Sequence, residues 1–294
     1  MTDPVPPKSV FHPAREEAKA ANQPTSSPQT EDPAYRLAFQ DMDFLLRQDL
    51  RPVRFQLELL KPELLLDEAG IESTFVFYGS ARIPEPSKAD ALIETAATDH
   101  QRQIAESLKA KSKYYDEARK LARIASRVEP SADGKRQFVV CSGGGPSIME
   151  AANRGAVDEG KESVGLNIVL PHEQLPNPYV TPRLSFQFHY FSLRKMHFLL
   201  RARAVAVFPG GFGTFDESFE LLTLIQTGKI KPLPIILFGR EFWERVVNFS
   251  ALVDEGVIAP DDLNLFKFVE TAEEAWDYIC ECYSDNEAIS DCVK

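Results

Sequence analysis

From residue 73 onward the chain alternates between short runs of β-branched and aromatic residues and longer segments whose apolar positions recur at helical spacing. The first run, STFVFYGSAR at 73–82, reads as a buried strand closed by a tight turn at Gly79. Further strands are read at QFVVCSGGG (137–145), SVGLNIVLP (163–171), LSFQFHYF (184–191), AVAVFPGG (204–211) and PLPIILFG (232–239). Helices are read at 88–127, which holds no proline, and at 147–159, 193–203, 214–227 and 241–254. Strand alternating with helix predicts an α/β fold, a doubly wound parallel sheet covered on both faces.

Upstream the pattern changes. Seven of the 21 prolines fall in the first 33 residues, among Ser, Thr, Gln and Glu with few aliphatics, so 1–33 is expected to be a disordered tail. Leu37, Phe44 and Leu45 then recur at helical spacing across 34–49, and 55–66 repeats the theme, giving a helical extension over 34–70 that serves as packing surface or subunit interface. The remaining boundaries are a Rossmann-like domain at 71–284 and a C-terminal tail at 285–294.

Composition narrows the function. Asp plus Glu outnumber Lys plus Arg by 44 to 33, a net charge of −11, which argues against a nucleic-acid partner. No apolar stretch approaches the eighteen or so residues of a bilayer span, and the opening MTDPVPPKSVFHP lacks the apolar region of a secretion signal. A cytoplasmic protein with no membrane partner is expected. Cys141, Cys280, Cys282 and Cys292 form no C-x-x-C pair, so neither a disulfide framework nor a zinc site follows.

In a doubly wound sheet, ligands sit beyond the carboxyl ends of the strands, which singles out the glycines that follow them. Three such loops stand out: Gly79-Ser80-Ala81-Arg82, Ser142-Gly143-Gly144-Gly145-Pro146, and Pro209-Gly210-Gly211-Phe212-Gly213-Thr214. Glycine admits a phosphate close to the backbone, and the following helix presents free N–H groups and a positive dipole end. Glycines are also needed merely to reverse the chain, but three loops at one end of a sheet favour an anion pocket. None carries the Gly-Lys-Ser/Thr of a Walker loop or the G-x-G-x-x-G of a dinucleotide site, so a nucleoside monophosphate fits best.

If Thr214 opens a helix, Glu217 lies one turn on and faces the loop. Thr-x-x-Glu is equally the signature of a capping box, and spacing alone favours that cap; Asp216 complements the helix dipole. Further back, Ser192 is a plausible N-cap, and Arg194 and Lys195 in a first helical turn oppose the dipole, which hints at an anion that offsets them. His189 and His197 read as packing or surface residues, and no metal-ligand set, nucleophile elbow or Schiff-base lysine is recognisable.

Ser142-Gly143-Gly144-Gly145-Pro146-Ser147-Ile148-Met149-Glu150, taken with Pro209-Gly210-Gly211-Phe212-Gly213-Thr214-Phe215-Asp216-Glu217, resembles the paired signatures of the LONELY GUY (LOG) family, long mislabelled lysine decarboxylases. The similarity covers about 73–283, and Phe77-Tyr78-Gly79-Ser80-Ala81-Arg82 looks like the bacterial long form. The resemblance implies hydrolysis of the N-glycosidic bond of a nucleoside 5′-monophosphate, adenosine monophosphate or an N6-modified cytokinin nucleotide, to free base and ribose 5-phosphate. It implies no cofactor and no metal, a homodimer or larger assembly, and Arg194 and Glu217 as the catalytic pair. Ser80, Arg82, Ser142, Gly143, Gly144, Met149, Lys195, Gly210, Gly211, Gly213 and Thr214 are then the expected substrate-binding residues. One departure is Ser147, where the family usually has Gly: a side chain there could narrow the pocket or add a hydroxyl to the phosphate contacts. The rival reading is a nucleotide-binding sensor or carrier without turnover.

Overall fold

A computed structural model describes residues 12–22, 25–171 and 175–284. The first eleven residues of the expected N-terminal tail, and all of the expected C-terminal tail with Cys292, lie outside the described residues. The helices in chain order are α1 (Ala14–Ala21), α2 (Pro28–Glu31), α3 (Met42–Leu45), α4 (Arg51–Glu68), α5 (Ala89–Glu94), α6 (Asp99–Ala110), α7 (Lys113–Ser126), α8 (Ile148–Asp158), α9 (Phe191–Leu200), α10 (Phe212–Gln226), α11 (Arg240–Val246), α12 (Phe249–Asp254) and α13 (Ala272–Tyr283). The strands are β1 (Thr74–Tyr78), β2 (Val139–Ser142), β3 (Val164–Ile168), β4 (Ser185–Phe188), β5 (Ala202–Val207), β6 (Ile235–Phe238) and β7 (Lys267–Val269). None of the helices is long and apolar enough to cross a membrane, among the described residues.

The described residues divide into two compact units, one ending at Glu58 and the other beginning at Leu59. In the first, α1, α2 and α3 bury no residue. The continuous helix expected over 34–49 is instead α3 with two 3₁₀ turns before it, Pro33–Tyr35 and Ala38–Gln40, and one after it, Gln48–Leu50. The carboxylate of Asp32 accepts from Ala34 N at 2.8 Å and that of Asp41 from Phe44 N at 3.1 Å, so each aspartate restarts the chain as a cap.

The second unit is a seven-stranded sheet in the order β4-β3-β2-β1-β5-β6-β7, with every pairing parallel. All five residues of β1, TFVFY, are buried, as a central strand covered on both faces requires. The six expected strands are all present. The seventh, β7, escapes a pattern search because it has three residues, of which only Val269 is buried. The helix after it, α13, does carry a legible start: Thr271 Oγ1 accepts from Glu274 N at 3.2 Å while Glu274 Oε2 accepts from Thr271 N at 3.3 Å, a reciprocal cap.

The helix expected over 88–127 is three helices. Thr98 restarts the chain as the cap of α6, its hydroxyl accepting from Gln101 N at 3.1 Å, and the turn at Lys111–Ser112 separates α6 from α7. The alanine face of α7 (Ala118, Ala122, Ala125) lies in one buried cluster with that of α8 (Ala151, Ala152, Ala156). Gly155 lets the two helices close: a Cβ there would sit 2.3 Å from Arg119 O.

From β1 the chain builds outward through β2, β3 and β4, then returns through α9 to β5 on the other side of β1. The strand order reverses between β1 and β5, which opens a crevice beyond their carboxyl ends.

Candidate active site

The glycine loops after β1, β2 and β5 all line one cleft of about 1010 Å³ at that crevice. Hydrogen bonds tie the first and third loops together: Ser80 N donates to Pro209 O at 3.1 Å, and Phe208 N to Tyr78 O at 2.8 Å. Ile148 N, at the start of α8, donates to Ser80 O at 3.4 Å.

The second loop is braced from behind. Ser142 Oγ accepts from Gly144 N at 3.0 Å and bonds Asn153 Oδ1 at 2.8 Å. Asn177 N donates to Gly144 O at 2.8 Å, and its Nδ2 donates to Gly145 O and Asn153 Oδ1, each at 2.9 Å. Asn153 and Asn177 thus shape the loop although nothing in their local sequence announces it. Gly144 has φ +71°, and a Cβ there would lie 2.3 Å from Asn167 Oδ1, so glycine is required both by conformation and by space.

Of the expected substrate-binding residues, Ser80, Arg82, Gly143, Met149, Gly211, Gly213 and Thr214 line the cleft. Ser142, Gly144, Gly210 and Lys195 do not. The hydroxyl of Ser142 is spent inside its own loop, and Gly210 makes room for a neighbour: a Cβ on it would meet Thr214 Oγ1 at 2.1 Å. Lys195 turns to the side chains of Asp216 and Glu220, at 3.0 and 2.8 Å. Asn167, Leu170, Phe191 and Val246 also line the cleft and were missed, because each stands at an element's end with no motif around it.

Arg194 and Glu217 meet on the wall. α9 begins at Phe191 with Tyr190 as its N-cap residue, two residues before the start that a cap at Ser192 would set. Arg194 is buried: its Nε donates to Leu166 O at 2.7 Å, Nη1 lies 3.2 Å from Glu217 Oε1, and the guanidinium stands 5.0 Å from the Phe198 ring centre. Glu217 projects from α10, which starts at Phe212 with Gly211 as N-cap residue and no side-chain cap. The capping-box reading of Thr214 and Glu217 is therefore overturned: Thr214 is already inside the helix, and the carboxylate turns to Arg194 rather than back to a backbone N–H. Burial pushes the Glu217 carboxyl up to about 7; Arg194 and Lys195 oppose the rise, Asp216 and Glu220 add to it. The anion that offsets the two cations of α9 is supplied by the protein's own α10 carboxylates.

Ser147 does not face the cleft. Its hydroxyl donates to Ile83 O, and its backbone takes φ +66°, ψ −122°, a conformation that suits glycine. His197 is a packing histidine, buried 5.2 Å from the Phe188 ring with Glu63 3.7 Å from its Nδ1. A second cavity, of about 590 Å³, lies among α11, α12 and β7, but its cations are engaged: Arg240 with Glu244 and the Phe268 ring, Lys267 over Tyr278.

A family model described as "Possible lysine decarboxylase" matches residues 149–279. Over 135 residues the chain is 29% identical to the pyrimidine/purine nucleotide 5′-monophosphate nucleosidase of Escherichia coli K12, a match covering 42% of this chain and 29% of that protein. Over 168 residues it is 29% identical to the cytokinin riboside 5′-monophosphate phosphoribohydrolase LOG of Oryza sativa subsp. japonica, covering 56% of this chain and 65% of that protein. The chain thus spans less than two thirds of either relative. Among solved structures, the molybdenum cofactor carrier protein of Chlamydomonas reinhardtii superposes with a TM-score of 0.41 at 13% identity, over 72% of this chain and 99% of that one, a likeness too loose to bear on function.

Proposed function

Kinship with the LONELY GUY family is the premise from which we propose that this chain hydrolyses a nucleoside 5′-monophosphate to free base and ribose 5-phosphate. The observation that carries the proposal is the buried Arg194–Glu217 pair on the wall of a cleft ringed by three glycine loops. Phosphate binding alone gains nothing from a buried carboxylate beside it.

In this reading the 5′-phosphate docks at the uncapped start of α10, where the backbone N–H groups of Phe212, Gly213 and Thr214 and the dipole of a 15-residue helix favour an anion. Ser80 and Arg82 meet the nucleotide from the opposite loop. The C1′–N bond breaks with its electron pair leaving on the base, through an oxocarbenium-like state that the Glu217 carboxylate stabilises. Water adds to C1′ and gives its proton to Glu217, and that proton passes to the departing base, so water is the sole co-reactant. Arg194, fixed by Leu166 O, favours the ionised carboxylate against its burial and keeps it in place, while its Nη2 lies beside Gly143 at the cleft.

A side chain at Ser147 that narrowed the pocket would favour the sensor or carrier reading. That residue is turned to Ile83 O and stands outside the lining, so it gives no reason to set turnover aside. The deciding experiment incubates the protein with adenosine monophosphate, an N6-alkylated analogue and the pyrimidine monophosphates, and separates the products chromatographically. Free base with an equivalent of ribose 5-phosphate is expected. Tight binding of every nucleotide with no base released would establish a non-catalytic binder instead.

A further inference from the structure

Arg194 and Lys195 are consecutive on α9, so their side chains leave the helix about 100° apart and cannot serve the same atom. Arg194 points inward, to Leu166 O and Glu217. Lys195 reaches the flank of α10, where Asp216 and Glu220 stand four residues apart on one face. Its Nζ lies 3.0 Å from Asp216 Oδ1 and 2.8 Å from Glu220 Oε2, and its side chain is only 17% exposed. Without that cation the two carboxylates would repel each other on either side of Glu217. A lysine that bound phosphate would line the cleft, and Lys195 does not.

We propose that Lys195 is a positioning residue: by bridging Asp216 and Glu220 it locks the first turns of α10 against α9 and so fixes the contact between Arg194 and Glu217. The proposal rests on the reading of Glu217 as the group that acts on water. It has an electrostatic consequence that a merely structural lysine would not share. The groups acting on Glu217 are Arg194 and Lys195 from α9 and Asp216 and Glu220 from α10, with the Tyr78 hydroxyl from β1 kept neutral by its own burial. With Glu217 ionised, two positive charges face three negative ones. Loss of Lys195 leaves one against three, and Glu217 then keeps its proton to higher pH.

The test compares Lys195→Gln and Lys195→Arg with the unaltered protein in two ways: kcat and KM for base release from adenosine monophosphate across pH, and NMR titration of the Glu217 carboxyl in ¹³C-glutamate-labelled protein, assigned with Glu217→Gln. Lys195→Gln is expected to raise the midpoint by on the order of one pH unit. A shift of that size lowers kcat near pH 7 about fivefold, with KM within about twofold, and Lys195→Arg restores both. If Lys195→Gln does not fold, Asp216→Asn with Glu220→Gln breaks the same bridge from the other side and is expected to move the midpoint down. An unmoved midpoint overturns the proposal, and so does a tenfold rise in KM at constant kcat, which would make Lys195 a substrate ligand. If the unaltered protein releases no base, hydrolysis itself is lost, but the NMR midpoint still decides the role of Lys195.

Discussion

Glu217 Oε1 lies 3.2 Å from Arg194 Nη1 although the two residues are 23 positions apart, one on the helix that precedes β5 and the other on the helix that follows it. The contact exists because β5 carries the chain to the far side of β1, so that α9 and α10 bracket the point where the strand order reverses. Side chains of the pair are only 11% and 13% exposed, which makes it a buried ion pair, costly to desolvate and not a device that stability alone would favour.

Replacing Glu217 by Gln keeps the shape of the side chain and an oxygen that accepts from Arg194 Nη1, but removes the base. Base release should fall by about 10²- to 10⁴-fold, the range expected for a general base, while the dissociation constant for adenosine monophosphate stays within about threefold. Chromatography of the products and calorimetry of the bound nucleotide measure the two separately. Undiminished release by Glu217→Gln would remove this residue from the mechanism.

Activity should rise with pH through about 7, the value to which burial pushes the Glu217 carboxyl, because only the ionised form accepts a proton from water. Stability should move the opposite way. Glu217 has a folded-state pKa above its ordinary 4.5, so between the two values the folded chain holds a proton that the unfolded chain releases. Its contribution therefore declines as pH rises from about 4.5 to 7, by no more than about 3 kcal/mol. Carboxylates held low by arginines, such as Glu159 at about 2 beside Arg127 and Arg123, lose their contribution at lower pH, as pH falls below the ordinary carboxylate range, so the windows separate. Denaturant melts at pH 5 and pH 8 should show Glu217→Gln gaining on the unaltered chain as pH rises; a constant difference would mean that Glu217 ionises normally.

How much of this was legible in the sequence depends on the range over which each feature is determined. The strands of the sheet's interior were legible because their residues are buried on both faces, so that STFVFY and AVAVF read as apolar runs. The glycine loops were legible because positive φ and close approach leave few alternatives, as at Gly144 against Asn167. The breaks inside 34–49 and 88–127 were missed because apolar spacing is silent about Asp41 or Thr98 choosing to cap. The partner of Glu217 could not be read from spacing: Thr-x-x-Glu fits a local cap and a long-range ion pair alike, and only the crossover through β5 brings Arg194 within reach. The placement of Lys195 and Ser142 outside the cleft lining escapes the sequence for a related reason. Each has a polar end suited to phosphate, but each is occupied by protein groups that no local pattern reveals.

Gly143 is where the loop and the ion pair touch. A Cβ at this position would stand 2.6 Å from Arg194 Nη2 and 2.9 Å from Met149 Sδ. Both obstacles are ends of side chains rather than backbone, so Gly143→Ala should fold, with stability lowered by about 1–3 kcal/mol because the buried pair is disturbed. The displaced guanidinium, however, must rotate away from Glu217 or give up Leu166 O. A misplacement of this size at the reacting groups is expected to lower kcat about 10- to 100-fold. Wild-type kcat in Gly143→Ala would show that the Arg194–Glu217 alignment does not limit the reaction.

Ser147 offers the opposite case, a residue in a signature loop whose changes should be felt in stability alone. Its backbone at φ +66°, ψ −122° costs a non-glycine residue about 1–3 kcal/mol, and its hydroxyl recovers part of that by donating to Ile83 O. Ser147→Gly removes the strain and the hydrogen bond together and adds freedom to the unfolded chain, so the three effects nearly cancel. Ser147→Ala keeps the strain and loses the bond, and should be less stable than the glycine variant by about 1–2 kcal/mol, the reverse of the order these residues show inside helices. Because the side chain stands outside the cleft lining, kcat/KM for both variants should match the unaltered chain. Thermal melts beside the nucleotide assay separate the two quantities: an alanine variant as stable as the glycine one would refute the strain, and a glycine variant of altered kcat/KM would return Ser147 to the site.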